Sequence, residues 1–349
     1  MLKSLVGEVM KYRSCHLIEH GISINVDSIQ ACCLSREFNK GQLPIITKYE
    51  NNKINWAEIF EIKRRHRKHQ RVQDLFFCEG CYNLREDDWD EEDYISFINF
   101  DHWSQCNSNC IYCNVQTDKP KAKNNVLNAV KDLIKQGKFR NDGEITFQGG
   151  EPTILKEFEP ILKLFIKQGS KVRVHSSGIL FSRAIRDGLK KGAVTVVISP
   201  DSVTKETYKK VKRVDKSNKV WDNIKHYRKG LKEDFTKNVK VKYIIIPGIN
   251  DTFEEVTAFL NKIKEFDIKS VIVDIEYIYA NRNIENISEH VFMLMDYIET
   301  VAKENDISYE LYDSAKYAVQ NRTLEKITNF DIDLFQTSKQ KNIQKNIRY

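Results

Sequence analysis

Two hydrophobic periods alternate along most of the chain. From Ile95 onward, short runs rich in Val, Ile and Phe are separated by longer stretches whose apolar residues recur every three or four positions. The short runs read as strands and the longer stretches as helices. Strands are predicted over residues 95–100, 144–147, 171–175, 194–199, 239–246 and 270–278. Helices are predicted over residues 124–136, 158–166, 183–191, 220–231, 253–266 and 289–304. In the first of these helices Val126, Ala129, Val130 and Leu133 fall on one side.

Strand-helix alternation of this kind builds an α/β fold with a parallel sheet and helices outside it. Right-handed crossovers curl such units into either a doubly wound sheet or a partial barrel. Both place ligands at the C-terminal ends of the strands. Residues with special chemistry stand there: Cys106 after the first strand, Gly149 after the second, Ser176 after the third, Asp201 after the fourth and Gly248 after the fifth. The organisation expected is a cysteine-rich segment over 1–85, an acidic linker over 86–94, the α/β body over 95–312 and an extension over 313–349. That extension either caps the open side of the body or stays disordered.

Composition narrows the classes. The chain has 349 residues, 41% of them hydrophobic, with few Gly (14) and Pro (6). This suffices for a sizeable core and excludes a collagen-like or linker-rich chain. The most continuous apolar run lies near Tyr243 to Ile249, far short of the ~18 residues of a membrane helix. The first fifteen residues carry Lys3, Glu8, Lys11 and Arg13, so no secretory signal is expected. The expectation is a cytoplasmic protein with no membrane partner. The net charge of +7 is uneven, with a basic run over 63–71 and an acidic run over 86–93. Both read as solvated surface, and without a reading motif nucleic acid is not an expected partner. A carrier role of the basic run for an anionic substrate is the competing view.

The cysteines change the picture most. All eight precede residue 114: Cys15, Cys32, Cys33, Cys78, Cys81, Cys106, Cys110 and Cys113. Clustered thiols in an intracellular chain read as metal ligands. Cys106, Cys110 and Cys113 have the spacing C-x3-C-x2-C on one compact loop. Three thiolates there suit three of the four ligands of a structural zinc, or an iron–sulfur cluster with one iron left open.

Gln148-Gly149-Gly150-Glu151-Pro152-Thr153 follows the second strand, and the aromatic Tyr112 precedes the third loop cysteine. With these features the chain resembles the radical S-adenosylmethionine (SAM) superfamily over about residues 96–305. The resemblance implies a partial (βα)6 TIM-like barrel. It implies a [4Fe–4S] cluster held by Cys106, Cys110 and Cys113, whose open iron chelates SAM. Glu151 is then expected at the methionine ammonium, with Gly149 and Gly150 allowing close backbone approach to the ligand. Tyr112 corresponds to the adenine-contacting aromatic, Ser199 to a ribose contact and Arg213 to a residue near the SAM carboxylate. Ile246 and Gly248 lie on the matching adenine wall. Ser177-Gly178 departs from the Asn-Gly of many relatives. The implied chemistry is reductive cleavage of SAM to a 5′-deoxyadenosyl radical, fed by a flavodoxin- or ferredoxin-type donor, and hydrogen abstraction from a substrate.

Cys78-Glu-Gly-Cys81, with residues 56–71, resembles part of a SPASM or twitch module, which in this chain precedes the barrel rather than following it. The small N-terminal cysteine-rich domain is accordingly expected to hold a second [4Fe–4S] cluster on Cys15, Cys32, Cys78 and Cys81. A four-cysteine zinc site is the alternative. Cys33 is the spare thiol and could exchange with Cys32 or donate a hydrogen atom to a substrate radical. The reading is a radical SAM oxidoreductase that oxidises, crosslinks or epimerises a peptide or a small polar, sugar-like substrate. A glycyl-radical-enzyme activase is a second reading. A zinc-stabilised module that binds nucleic acid or protein is a third.

Overall fold

The computed structural model describes residues 11–32, 45–49, 53–70, 83–89, 92–113, 125–282 and 287–322. The expected ligands Cys78 and Cys81 and the spare thiol Cys33 lie outside the described residues. The chain forms two compact units. Unit 1 comprises Met1–Asn109, Cys113–Ile198 and Asp222–Val239; unit 2 comprises Cys110–Tyr112, Ser199–Trp221 and Lys240–Tyr349. No helix among the described residues is long and apolar enough to cross a membrane.

Unit 1 begins with β1 (Tyr12–Ser14), α1 (His16–His20), β2 (Gly21–Asn25), β3 (Ser28–Gln30), β4 (Ile45–Lys48), α2 (Trp56–Gln70) and β5 (Arg85–Asp87). The predicted alternation follows: β6 (Ile95–Asp101), α3 (Leu127–Lys135), β7 (Phe139–Phe147), α4 (Phe158–Lys167), β8 (Lys171–Ser176), α5 (Arg183–Lys190) and β9 (Val194–Ile198). Its strands lie in the order β9-β8-β7-β6-β2-β3-β4. β6 to β9 are mutually parallel, and β2 runs parallel to β6 with Ser23 opposite Asn99. β3 and β4 add an antiparallel edge. The expected boundary at 85/86 therefore falls inside unit 1. The N-terminal segment extends the barrel sheet, and residues 85–87 pair with β1 as a short ribbon.

Every second side chain of β6 and β7 packs towards the helices. Phe100 stacks on Phe147 at 4.8 Å between ring centroids and meets Phe165 of α4 at 6.0 Å. The intervening residues, Asn99 and Thr146 among them, occupy the opposite face of the sheet.

Unit 2 holds α6 (Lys205–Lys212), the start of α7 (Ser217–Arg228), β10 (Val239–Ile245), α8 (Phe253–Glu265), β11 (Ser270–Ile275), α9 (Tyr277–Arg282), α10 (Glu289–Glu304) and β12 (Ser308–Leu311). β10, β11 and β12 are parallel. Tyr243, Phe259 and Trp221 form the aromatic centre of its core. Three elements were not expected. α6 (KETYKKVK) is too charged to show a periodic apolar face, and β12 is short and half-buried throughout. The predicted strand over 270–278 stops at Ile275 because Glu276 receives the Ile278 and Tyr279 amides at 3.0 and 2.6 Å and so starts α9.

The basic and acidic runs are not simply solvated. α2 turns Trp56, Ile59, Phe60, Lys63 and Arg67 inward, the i, i+3, i+4, i+7 stripe of a packed helix. Lys63 Nζ donates to the Ile18 and Gly21 carbonyls at 2.7 and 2.8 Å. These cap the end of α1. Arg67 Nη2 pairs with Asp93 Oδ1 at 2.7 Å, and Arg64 pairs with the same carboxylate. The basic run thus grips the acidic one. Replacing Asp93 with alanine strands Arg67, whose side chain is only 5% exposed. We expect a loss of about 1–3 kcal/mol, read as a lower urea midpoint with an unchanged slope. An unchanged midpoint would contradict this account of the pair.

Candidate functional site

In unit 1 the cysteine loop leaves the end of β6, and the Gly-Gly-Glu segment leaves the end of β7. The two run side by side through backbone bonds: Gln148 N to Phe100 O at 2.9 Å, Gly150 N to Trp103 O at 3.1 Å and Glu151 N to Gln105 O at 2.8 Å. Glycine is required twice. Gly149 has φ +98°, and a Cβ there would stand 2.9 Å from Trp103 O; a Cβ on Gly150 would strike the Gln105 carbonyl and stand 2.6 Å from Trp103 Cδ1. Side chains do not fit at that separation. The structure thus shows both glycines in close approach to the cysteine loop.

Glu151 is buried, and its carboxylate braces the site. Oε1 accepts from Thr153 N at 3.1 Å, Thr153 Oγ1 at 2.6 Å and Ser176 Oγ at 2.9 Å. Oε2 accepts from Ser177 N at 2.6 Å. Ser177 Oγ in turn donates to Asn107 Oδ1 at 2.8 Å, inside the cysteine loop. The sequence pointed to Ser176 and Ser177 without a role for either, and it passed over Asn107. Asn107 is an unremarkable polar residue between two cysteines, and only the fold brings it to Ser177.

Cys106 and Cys113 flank this brace as partly exposed thiols, and Cys106 Sγ lies 3.3 Å from Ser108 Oγ. Asn107 Nδ2 and Trp103 Nε1 are buried donors without a partner among the described residues. Unused donors beside a thiolate loop suit a cluster and a carboxylate-bearing ligand, both of which bring negative charge. Among the described residues no three His, Cys, Asp or Glu side chains converge on a single metal ion. A cubane cluster distributes its cysteines over separate irons, so it does not need such convergence.

His102 turns away from the site. Its Nε2 meets Glu157 Oε1 at 2.7 Å, and Glu157 also accepts from Val126 N at 3.3 Å near the start of α3. His175 lies on the opposite sheet face, in register with Val197 of β9.

In unit 2 the central group is Asp201, fully buried in a left-handed conformation (φ 56°). Its Oδ2 accepts from Tyr112 OH at 2.6 Å and pairs with the Lys212 ammonium, which also lies 2.6 Å from Tyr112 OH. Oδ1 accepts from Ile244 N at 2.9 Å. Asn250 Nδ2 donates to Asp201 O at 2.7 Å, and Asn250 Oδ1 accepts from Ile246 N at 2.7 Å. Burial works against the Lys212 charge, but Asp201 and Cys110 outweigh it and hold the ammonium above the usual lysine range. Burial, then Asp201 and Cys110, keep the Tyr112 phenol protonated well beyond its ordinary range. Lys212 was missed because it sits in a KVKR run that reads as surface charge.

Of the residues expected to contact SAM, Tyr112 and Ile246 come together. Tyr112, Ile111 and Ile249 pack on Val211, Ile244 and Ile246, and Ile111 N bonds Val211 O at 2.9 Å. Ser199 is half-buried just beyond β9. Gly248 is an exposed turn residue at φ +80° whose amide donates to Asp251 Oδ1 at 2.8 Å. Arg213 is exposed at the left-handed end of α6 and pairs with no carboxylate among the described residues.

Of the expected auxiliary ligands, Cys15 and Cys32 are described, and both are buried thiols. Both act on Lys63. Burial draws that ammonium down to about 7, while Glu19, Cys15 and Cys32 pull it up.

Comparison with known proteins agrees with this geometry. The model of the Radical SAM superfamily matches residues 101–263. A GTP 3′,8-cyclase of Clostridium botulinum is 25% identical over 235 residues, 63% of this chain and 71% of that protein. The molybdenum cofactor biosynthesis protein 1 of Dictyostelium discoideum is 26% identical over 244 residues, 68% of this chain and 36% of that protein. Streptococcus suis SuiB, solved bound to its precursor peptide SuiA, superposes with a TM-score of 0.50 at 14% identity. The match covers 76% of this chain and 57% of SuiB, and it shows the shared α/β partial-barrel fold. The Radical SAM match begins at residue 101, so it takes in the cysteine loop and its glycine brace, and the superfamily it describes works with a [4Fe–4S] cluster and SAM.

Proposed function

We propose that this radical SAM enzyme abstracts a hydrogen atom from a small polar substrate and thereby oxidises, crosslinks or epimerises it. The observation that carries the reading is the brace that Gly150 and Glu151 place on the Gln105–Asn107 part of the cysteine loop. Within unit 2 the Asp201–Lys212 pair fixes Tyr112. Cys106, Cys110 and Cys113 would hold the cluster. When bound, the reduced cluster and SAM supply the 5′-deoxyadenosyl radical, and that chemistry belongs to the cofactor. The chain's own residues position it. Glu151 keeps Ser177, and through it Asn107, in place. Lys212 keeps a positive charge beside Cys110, and Tyr112 with Ile246 offers an apolar wall for a purine ring.

The 3′,8-cyclase relatives, whose names specify GTP, support a small polar substrate, a nucleotide included, over a peptide. SuiB's precursor peptide supports the peptide alternative. In the same reading Cys15, Cys32, Cys78 and Cys81 hold a second [4Fe–4S] cluster in the segment up to residue 85, Cys33 is the spare hydrogen donor, and a flavodoxin- or ferredoxin-type protein delivers the electron. All five described cysteines are thiols rather than disulfides, which suits a reducing compartment such as the cytoplasm.

Anaerobic reconstitution followed by iron, sulfide and zinc analysis tests the reading. Two cubanes give about eight irons per chain, and 5′-deoxyadenosine forms on reduction. Cys106→Ala abolishes that product and leaves about four irons. Zinc without SAM cleavage would sink the proposal and favour a zinc-stabilised binding module. Lys212→Met leaves Asp201 buried and unpaired, and we expect it to cost about 3–5 kcal/mol of stability. Equilibrium unfolding reads that cost, and a wild-type midpoint would contradict the assigned pairing. Ser177→Ala frees Asn107, and we expect about a fivefold weaker SAM dissociation constant with folding unchanged; wild-type affinity would remove Asn107 from the brace.

A further inference from the structure

One row of residues crosses six strands of unit 1 and is polar at every position. Strand register places Gln30 of β3 beside Ser23 of β2, Ser23 beside Asn99 of β6, Asn99 beside Thr146 of β7, Thr146 beside Arg173 of β8, and Arg173 beside Thr195 of β9. The neighbouring row (Phe100, Phe147, Val174, Val196) points to the helices and is wholly apolar. The polar row occupies the other face of the sheet, where an ordinary packed core would be apolar too.

Two further observations set this row apart. Asn99, 1% exposed, spends its Nδ2 on Ser23 Oγ at 2.9 Å, yet its Oδ1 has no partner among the described residues. Gln30, 9% exposed, likewise has an Oε1 with no partner among the described residues. Further along, Arg173 forms no ion pair among the described residues. It lines a cavity of about 270 Å3 together with Thr146, Thr195, Lys171 and Glu144, towards the N-terminal ends of β8 and β9, where Gly192 and Ala193 complete the wall. A half-buried arginine with a threonine on each neighbouring strand, all lining one cavity, suits an oxyanion.

We propose that this inner face recognises the substrate and that Arg173, with Thr146 and Thr195, holds an oxyanion on it. The proposal rests on the hydrogen-abstraction reading above and deepens it: the substrate carries a phosphate or carboxylate group. The remaining polar row, ending in the unused acceptors of Asn99 and Gln30, favours N–H or O–H donors on the rest of that molecule.

The test uses reconstituted holoenzyme and two probes, inorganic pyrophosphate and glutarate, with binding measured by titration calorimetry. At least one anion is expected to bind saturably, and the better of the two assigns the group as phosphate or carboxylate. Arg173→Gln is expected to weaken that binding at least tenfold. Arg173→Lys, which keeps the charge and loses the fork, is expected to fall between. Arg183→Gln, an exposed change on α5, should bind as wild type. Saturable binding by neither anion, or unchanged affinity in Arg173→Gln, overturns the proposal. Substrate-free SAM cleavage measured on the same samples shows separately whether the radical SAM reading stands.

Discussion

A side chain at position 150 cannot coexist with the cysteine loop. A Cβ there would run into the Gln105 carbonyl and crowd Trp103. Everything on that side of the site follows from this exclusion. With glycine in place, the backbones after β6 and β7 come close enough to exchange hydrogen bonds. The next residue, Glu151, is then buried where its two oxygens tie the ends of β7 and β8 together. Ser177 passes the constraint on to Asn107, between the first two cysteines of the loop. A loop of small polar residues would otherwise be mobile; here its thiols are carried on a scaffold set before any ligand arrives.

Unit 2 achieves the same end with charge. Asp201 and Lys212 are both nearly water-free, a costly arrangement unless every lone pair and proton is used. Around Asp201, Tyr112 and the Ile244 amide serve the carboxylate together with Lys212, and Asn250 serves the backbone carbonyl. This fixes the ring of Tyr112 against Ile246 and leaves a permanent ammonium beside Cys110. Buried charge of this kind contributes definition more than stability, and definition is what a reactive centre needs.

The sequence revealed the periodic elements and the chemistry that depends on local spacing. All six predicted strands from residue 95 onward form, because β-branched runs between helical stretches leave little choice. The three-cysteine loop was legible because its ligands are neighbours in the chain. What stayed hidden depends on distant pairing. Lys212 looked like one more surface lysine until Asp201 stood against it. The basic run looked solvated, although Lys63 and Arg67 continue the stripe begun by Trp56, Ile59 and Phe60. The stripe was visible, but charge at its end masked the periodicity. The parallel pairing of β2 with β6 could not be read locally either, since a register between strands seventy residues apart leaves no local trace.

The central claim is that Cys106, Cys110 and Cys113 alone hold a cluster with an iron open to SAM. The most direct measurement is the electron paramagnetic resonance spectrum of the reduced protein in which Cys15, Cys32, Cys33, Cys78 and Cys81 are all replaced by alanine, recorded with and without SAM. The account predicts a single [4Fe–4S] signal whose shape changes when SAM is added. A signal indifferent to SAM, or no cluster signal from a folded chain, would contradict it.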